Sequence, residues 1–346
     1  MSPVNSLGNA AGLLRAALDR KTWPVTTAVL LLATALVMPR ALMPRDSYRY
    51  MVSFDITQSM DVEDVQANGK VVSRLTLARD AAREMLRAMP CGSALGWSIF
   101  ADYRVLPLLL PVEVCGHYEE LLASLEQIDG RMRWANASNI GKGATWALRT
   151  AKQMETHPNV VFLTDGHESP PLRDAELPPL AGIVPGETGG WLIGVGGTLA
   201  VPIPKTDRDG RPAGYWGPDE VVQGPGPGPS QEHLSQRHDD HLQALAAGMG
   251  LAYARLTDPD ALKRAVLDGR LARRQRVETD LRPLPAGMAL LLLAWRFRPN
   301  RVTNVTVPAR TPGPRPASAP ASRRRLRGTP VRSGRDDRSP SAARHR

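Results

Sequence analysis

The sequence predicts an α/β fold: a doubly wound, mainly parallel sheet with one antiparallel strand, flanked by transmembrane segments. Three observations carry this. Strand-type apolar runs alternate with segments of helical period between residues 45 and 270. One pair of strand runs is joined by a turn short enough for a hairpin, which supplies the antiparallel member. Long apolar stretches lie on either side of that alternating part.

The elements follow in order. "YRYMVSFDI" (Tyr48 to Ile56) is an uninterrupted apolar run of the kind that fills a sheet buried on both faces. "SRLTLARDAAREMLRAM" (Ser73 to Met89) has helical spacing. "SALGWSIFA" and "RVLPLLLPVEV" are two strands around Ala101-Asp102-Tyr103-Arg104. "YEELLASLEQI" is a helix. So is "NIGKGATWALRTAKQME", which Ser138 or Asn139 can cap. "NVVFLTDG" and "GGWLIGVGG" are strands. Leu251 to Leu256 is the last strand, between helices at Glu232 to Ala247 and Asp258 to Leu267. The Pro/Gly-rich segment 201–230 interrupts the pattern as an insertion without a core-forming period.

Composition bounds the role. The chain of 346 residues has a formal charge of +10 and is 42% apolar. Residues 301–346 hold twelve Arg against two Asp, so the excess sits there and the rest is balanced. The tail 299–346 is Arg/Pro-rich with little to bury, which predicts disorder and no specific nucleic-acid partner. Residues 22–43 contain the uncharged run "TWPVTTAVLLLATALVM", read as an uncleaved transmembrane anchor after a cytoplasmic N-terminus at 1–21. Segment 281–298 contains "LPAGMALLLLAW", either a second span or an interfacial segment. Basic residues before the first segment and after the second orient both ends to the cytoplasm. The domain 45–270 then faces the periplasm from a bacterial inner membrane.

Oxygen donors cluster where strands end. In a doubly wound sheet, ligands sit beyond the carboxyl ends of the strands. Asp55, Thr57 and Ser59 follow the first strand, Ser138 precedes the "NIGKG" helix, and Asp165 follows "VVFLT". Two carboxylates and three hydroxyls suit a hard divalent cation: Mg2+, or another such as Mn2+ or Ca2+. "GKGAT" lacks the spacing of a phosphate loop. No nucleophile elbow or oxyanion loop accompanies Ser59, His167 and Asp165, so nothing supports a hydrolase triad there.

These motifs resemble the von Willebrand factor A domain (VWA), whose metal-ion-dependent adhesion site reads D-x-S-x-S, a later Thr, then Asp in a "TDG" turn. Here the counterparts are "DITQS", "SNIG" and "LTDG", with Thr57 in place of Ser and Ser138 in place of Thr. The resemblance implies the five metal residues above and an open coordination position for a carboxylate of a protein client. Gln58, His167 and Glu168 would lie beside the ion and touch that client. "DITQSM", "MPCGS", "VEVCGHYEE", "LTDGHESPP" and "PIPKTDRDGRPAGYWGPDEVVQ" further resemble membrane-anchored bacterial VWA proteins of methanol and other PQQ-dependent alcohol dehydrogenase gene clusters. That group implies a part in maturing a periplasmic dehydrogenase. The alternative is envelope stress tolerance or complex assembly beside a MoxR-type AAA+ ATPase.

Cys91 and Cys115 are the only cysteines. A turn at Asp102 and Tyr103 sets them opposite each other at the open end of the hairpin, within reach of a disulfide. A bridge there implies an oxidising compartment.

Overall fold

The computed structural model describes residues 22–172, 182–207, 209–224 and 231–298. The predicted N-terminal segment 1–21, the tail 299–346 and part of the insertion lie outside these residues.

Alternating strand and helix signals become a six-stranded sheet. An apolar helix, α1 (Trp23–Val37), comes first, then β1 (Ala41–Ser47) and the central strand β2 (Arg49–Asp55). A small hairpin of β3 (Val65–Ala67) and β4 (Lys70–Val72) leads into α2 (Arg74–Ala88). Ser73 starts that helix by accepting a hydrogen bond from the Thr76 amide at 3.2 Å. β5 (Ala94–Ala101) and β6 (Arg104–Glu113) form the hairpin, and α3 (Tyr118–Glu126) and α4 (Ile140–Gln153) follow. β7 (Asn159–Thr164) and β8 (Gly190–Val195) complete the middle of the sheet. The insertion contributes β9 (Val201–Pro202), β10 (Pro204–Thr206) and β11 (Pro212–Tyr215), and β12 (Leu234–Ser235) follows it. Last come α5 (Asp239–Met249), β13 (Ala252–Leu256), α6 (Ala261–Val266), β14 (Arg273–Thr279) and α7 (Pro283–Arg296).

The sheet order is β13-β8-β7-β2-β5-β6, parallel throughout except for the β5–β6 edge. Both faces are covered, which is why the strands are continuously apolar. One core packs Tyr50, Phe54, Leu77, Met85 and Trp97 together, and the other packs Phe100, Leu148, Phe162, Leu192 and Leu242. α4 approaches the sheet closely. A Cβ on Gly143 would sit 2.1 Å from the Phe100 ring, so "GKG" is a packing feature of this helix.

The hairpin register places the cysteines. Ala101 pairs with Arg104 and Phe100 with Val105, so the turn falls at Asp102 and Tyr103. Two irregularities near Trp97 shift the ladder, and Cys91 and Cys115 join in a disulfide with Cα atoms 5.3 Å apart.

Three expectations need correction. The anchor predicted over 22–43 is not one span. α1 stops at Val37 because Met38 is extended and Pro39 follows, and Ala41–Met43 pair with Val277–Thr279 in an antiparallel ribbon. At 15 and 14 residues, α1 and α7 are about 22 and 21 Å long against a hydrocarbon core of roughly 30 Å. Among the described residues no helix is long and apolar enough to cross a membrane. The two helices pack on each other, with Ala28 and Ala289 buried and the Trp23 and Trp295 rings 6.3 Å apart. Second, the helix expected from Glu232 begins only at Asp239, because Leu234 and Ser235 pair with Pro202 and Val201 instead. Third, the insertion has a structure of its own, two short ribbons and a buried Ile203.

Candidate functional site

The carboxyl ends of β2 and β7 carry a buried polar network. Asp55 closes β2 with its side chain fully enclosed. Its Oδ1 accepts hydrogen bonds from the Thr57 amide at 2.9 Å and the Thr57 hydroxyl at 2.6 Å, an Asx-type turn that ends the strand. Its Oδ2 accepts the Thr164 hydroxyl at 2.7 Å, tying β2 to β7. Thr57 Oγ1 and Ser59 Oγ are 3.2 Å apart. The Thr57 hydroxyl therefore donates backward to the carboxylate and keeps acceptor capacity in front.

Asp165 has a different company. Oδ1 accepts the His167 amide at 3.0 Å, and Oδ2 accepts Arg74 Nη1 at 2.7 Å and the Ser235 hydroxyl at 2.8 Å. Arg74 is fully buried. It grips Asp64 through Nε and Nη2 at 2.9 and 2.6 Å and reaches the Ser59 carbonyl at 3.2 Å. Gly196 lies against it at φ +116°, where an added Cβ would come within 2.6 Å of Nε.

These surroundings separate the two carboxyls. Burial, followed by repulsion from Asp165, pushes Asp55 up to about 7. Burial also acts against ionised Asp165, but the Arg74 guanidinium and then His167 hold it below the usual carboxylate range. Close charges of one sign without a counter-charge on Asp55 are what a dication would relieve.

Ser138 completes the rim. Its backbone bridges to Ser169, with N–H to O distances of 2.7 and 2.8 Å, and stands beside Asp102. Asn139 caps α4 through the Lys142 amide at 3.0 Å. Ser138 is 1% exposed, yet its Oγ has no hydrogen-bond partner. A buried hydroxyl without a partner marks a place for a water or an ion. Thr57, Ser59 and Ser138 all line one cavity of about 250 Å3. Asp55 and Asp165 are fully buried and not part of its lining, and Asp55 bonds to the lining residue Thr57. Three hydroxyl oxygens in front of two carboxylates suit a hard, partly hydrated cation. On these grounds the residues fit a divalent ion.

The residues expected to meet a client divide. His167 lines the cavity at 5% exposure, its ring 6.0 Å from that of His238. Gln58 is occupied by the insertion: its Nε2 donates to Thr206 Oγ1 at 3.2 Å and its Oε1 accepts from Trp216 Nε1. Glu168 turns away. Its Oε2 accepts the Ile140 amide at 3.1 Å at the start of α4, and its Oε1 pairs with His241 at 3.0 Å. Gln58 thus lines the cavity beside His167 while tied to the insertion, and Glu168 is held at the start of α4. The sequence reading missed Arg74, Asp64, Thr164 and Ser235. One signal was available, because an arginine at the first position of a helix opposes the helix dipole and needs another anchor.

Elsewhere, Cys91, Glu113 and Cys115 bring potential ligand atoms within 4.8 Å of one another, but the sulfurs are bonded to each other and offer no thiolate. Glu113 instead accepts the Gly92 and Gly116 amides at 2.7 and 2.6 Å.

No family model matches the chain, and no curated protein matches it. Among solved structures it is similar to an aerotolerance-related membrane protein from Bacteroides fragilis NCTC 9343, at 20% identity and TM-score 0.45, over 64% of this chain and 98% of that one. It is also similar to the ArnB paralog VWA2 from Sulfolobus acidocaldarius, at 17% identity and TM-score 0.36, over 66% of this chain and 46% of that one. A von Willebrand factor type A structure from Catenulispora acidiphila matches at 10% identity and TM-score 0.34, over 73% and 51%. Likeness at this level establishes neither family nor role.

Proposed function

We propose that this chain is a non-enzymatic von Willebrand A module that binds a protein client through a divalent ion at the rim of β2 and β7. One observation carries the reading: Ser138, whose buried hydroxyl has no hydrogen-bond partner, lines the same cavity as Thr57 and Ser59, and Asp55 bonds to Thr57 there. Thr57, Ser59 and Ser138 would hold the ion through their oxygens, and the two carboxylates would supply charge from behind. When bound, the ion offers a position to a client carboxylate.

The chain's own residues prepare that step. Asp55 orients the Thr57 hydroxyl so that its lone pairs face the cavity. Arg74 holds Asp165 in one place and keeps it ionised. Gln58 ties the insertion to the rim through Thr206, and Ser235, paired with Val201, bonds to Asp165.

The client we propose is a periplasmic PQQ-dependent alcohol dehydrogenase during assembly, on the motifs that resemble that group. The Cys91–Cys115 bridge supports an oxidising compartment. The paired helices α1 and α7, apolar on their outer faces, support attachment to a lipid surface without either crossing it. Deleting the gene and measuring dehydrogenase activity with its metal and quinone content tests the client. Asp55→Ala should reproduce the deletion; a dehydrogenase matured normally in both strains overturns the assignment.

A further inference from the structure

The cavity is also lined by the insertion and the residues just after it. Ile203, Trp216, Glu220, Val221 and Glu232 share this space with the hydroxyl rim. Apolar groups in this lining suit the stem of a side chain. The two carboxylates need separate treatment. Glu220 is already neutralised: Oε1 pairs with Lys205 Nζ at 2.5 Å, and Oε2 accepts the Gly217 amide at 3.0 Å. Glu232 is half-buried in the lining and enters none of the ion pairs found among the described residues.

Charge then limits what can enter. Behind the rim lie Asp55, Asp64 and Asp165, with Arg74 as their buried cation. A divalent ion would balance the remaining charge at the rim, but not Glu232 as well. A ligand carrying only a carboxylate would bring a further negative charge into a small cavity beside Glu232. A carboxylate accompanied by an ammonium or guanidinium would meet both the ion and Glu232 with complementary charge. At about 250 Å3 the cavity has room for one or two side chains.

We propose that this cavity selects a carboxylate accompanied by a cationic nitrogen, the carboxylate at the ion and the cation at Glu232. The inference rests on the ion reading above and adds the chemical class of what the ion receives. Two sources share this chemistry: a client segment with adjacent acidic and basic residues, and a free amino acid. Ser138 points to a ligand at this place independently of the acidic groups, since its buried hydroxyl has no hydrogen-bond partner.

The test uses the full chain in detergent, loaded with Mg2+. Calorimetry compares acetyl-Asp-Lys-amide with acetyl-Asp-Gln-amide, and free lysine with glutarate. The expected result is that each cation-bearing probe binds about tenfold more tightly than its partner. Glu232→Gln should bring both ratios close to one, and Glu232→Lys should invert them, with thermal unfolding checking that both variants fold. A preference seen only with the peptide pair assigns the source to a client, and one seen only with free lysine assigns it to a small zwitterion; both support the shared chemistry. Equal binding within each pair, in protein that takes up Mg2+, overturns this inference and leaves the ion site standing. Protein that takes up no Mg2+ overturns both.

Discussion

Asp55 and Asp165 stand on neighbouring strands of one rim, both fully buried, and the chain treats them oppositely. Asp165 is given a permanent cation, Arg74, at 2.7 Å. Asp55 is given only hydroxyl and amide donors from Thr57 and Thr164. One carboxylate is therefore neutralised by the fold itself, and the other is left pushed up toward neutrality by burial and repulsion. The difference teaches what the rim lacks. A site built for stability alone would pair both carboxylates or remove one, because a buried charge without a partner costs several kcal/mol. The unbalanced half also holds the hydroxyls that face the cavity. That asymmetry is the physical basis for placing a cation there.

The comparison can be broken at either half. On the Asp55 side, Asp55→Asn keeps the shape and removes the charge. Titration should then show divalent affinity lower by at least about 100-fold. Undiminished uptake would mean that Asp55 has no part in holding the ion. On the Asp165 side, Arg74→Met strands Asp64 and Asp165 without a counter-charge. Denaturant unfolding should show a loss of about 3–5 kcal/mol. A loss well under about 1 kcal/mol would show that Arg74 is not the neutraliser described.

A third substitution separates holding an ion from holding the fold. Ser138→Ala removes a buried hydroxyl that has no partner, so metal-free stability should stay level or rise slightly. Divalent affinity should nonetheless fall by about tenfold. Stability falling while affinity stays unchanged would give Ser138 an ordinary structural role.

A further effect is in pH. Asp55 has a folded-state pKa raised above its unfolded value, so the metal-free fold gains from binding a proton there. That gain is present at low pH and is lost as pH rises through the window from about 4 to about 7. Divalent uptake should show the opposite trend, weakening as pH falls through about 7 because a proton then competes for Asp55. Affinity that stays flat between pH 5 and 8 would contradict the raised value.

Much of this architecture was legible in the sequence. "YRYMVSFDI" and "NVVFLT" are short apolar runs with nothing to confuse their period, and the hairpin register follows from a turn at Asp102 and Tyr103. The donors at Asp55, Thr57 and Ser59 were legible because a turn needs one oxygen donor after a strand, and three at alternate positions exceed that need. Ser138 and Asp165 come from elements distant in sequence, and only the sheet order brings them to the same rim. Arg74 was legible only through its place at the first position of a helix, since an arginine in an amphipathic helix ordinarily faces water, whereas this one is drawn inward by Asp64 and Asp165. The insertion was misjudged for a related reason. Proline and glycine disrupt periodicity, but they do not stop β9 from pairing with β12 or Trp216 from reaching Gln58. The first apolar segment was drawn too long at its C-terminal end because hydropathy counts apolar residues and does not see that Ala41–Met43 pair as a strand.

The most direct measurement is calorimetric titration of Mg2+ into the metal-free full chain in detergent, beside the Ser138→Ala variant. The account predicts uptake of one ion per chain, clearly weakened in the variant. No uptake by the wild-type chain at millimolar Mg2+, Mn2+ or Ca2+, or equal affinity in both proteins, would contradict it.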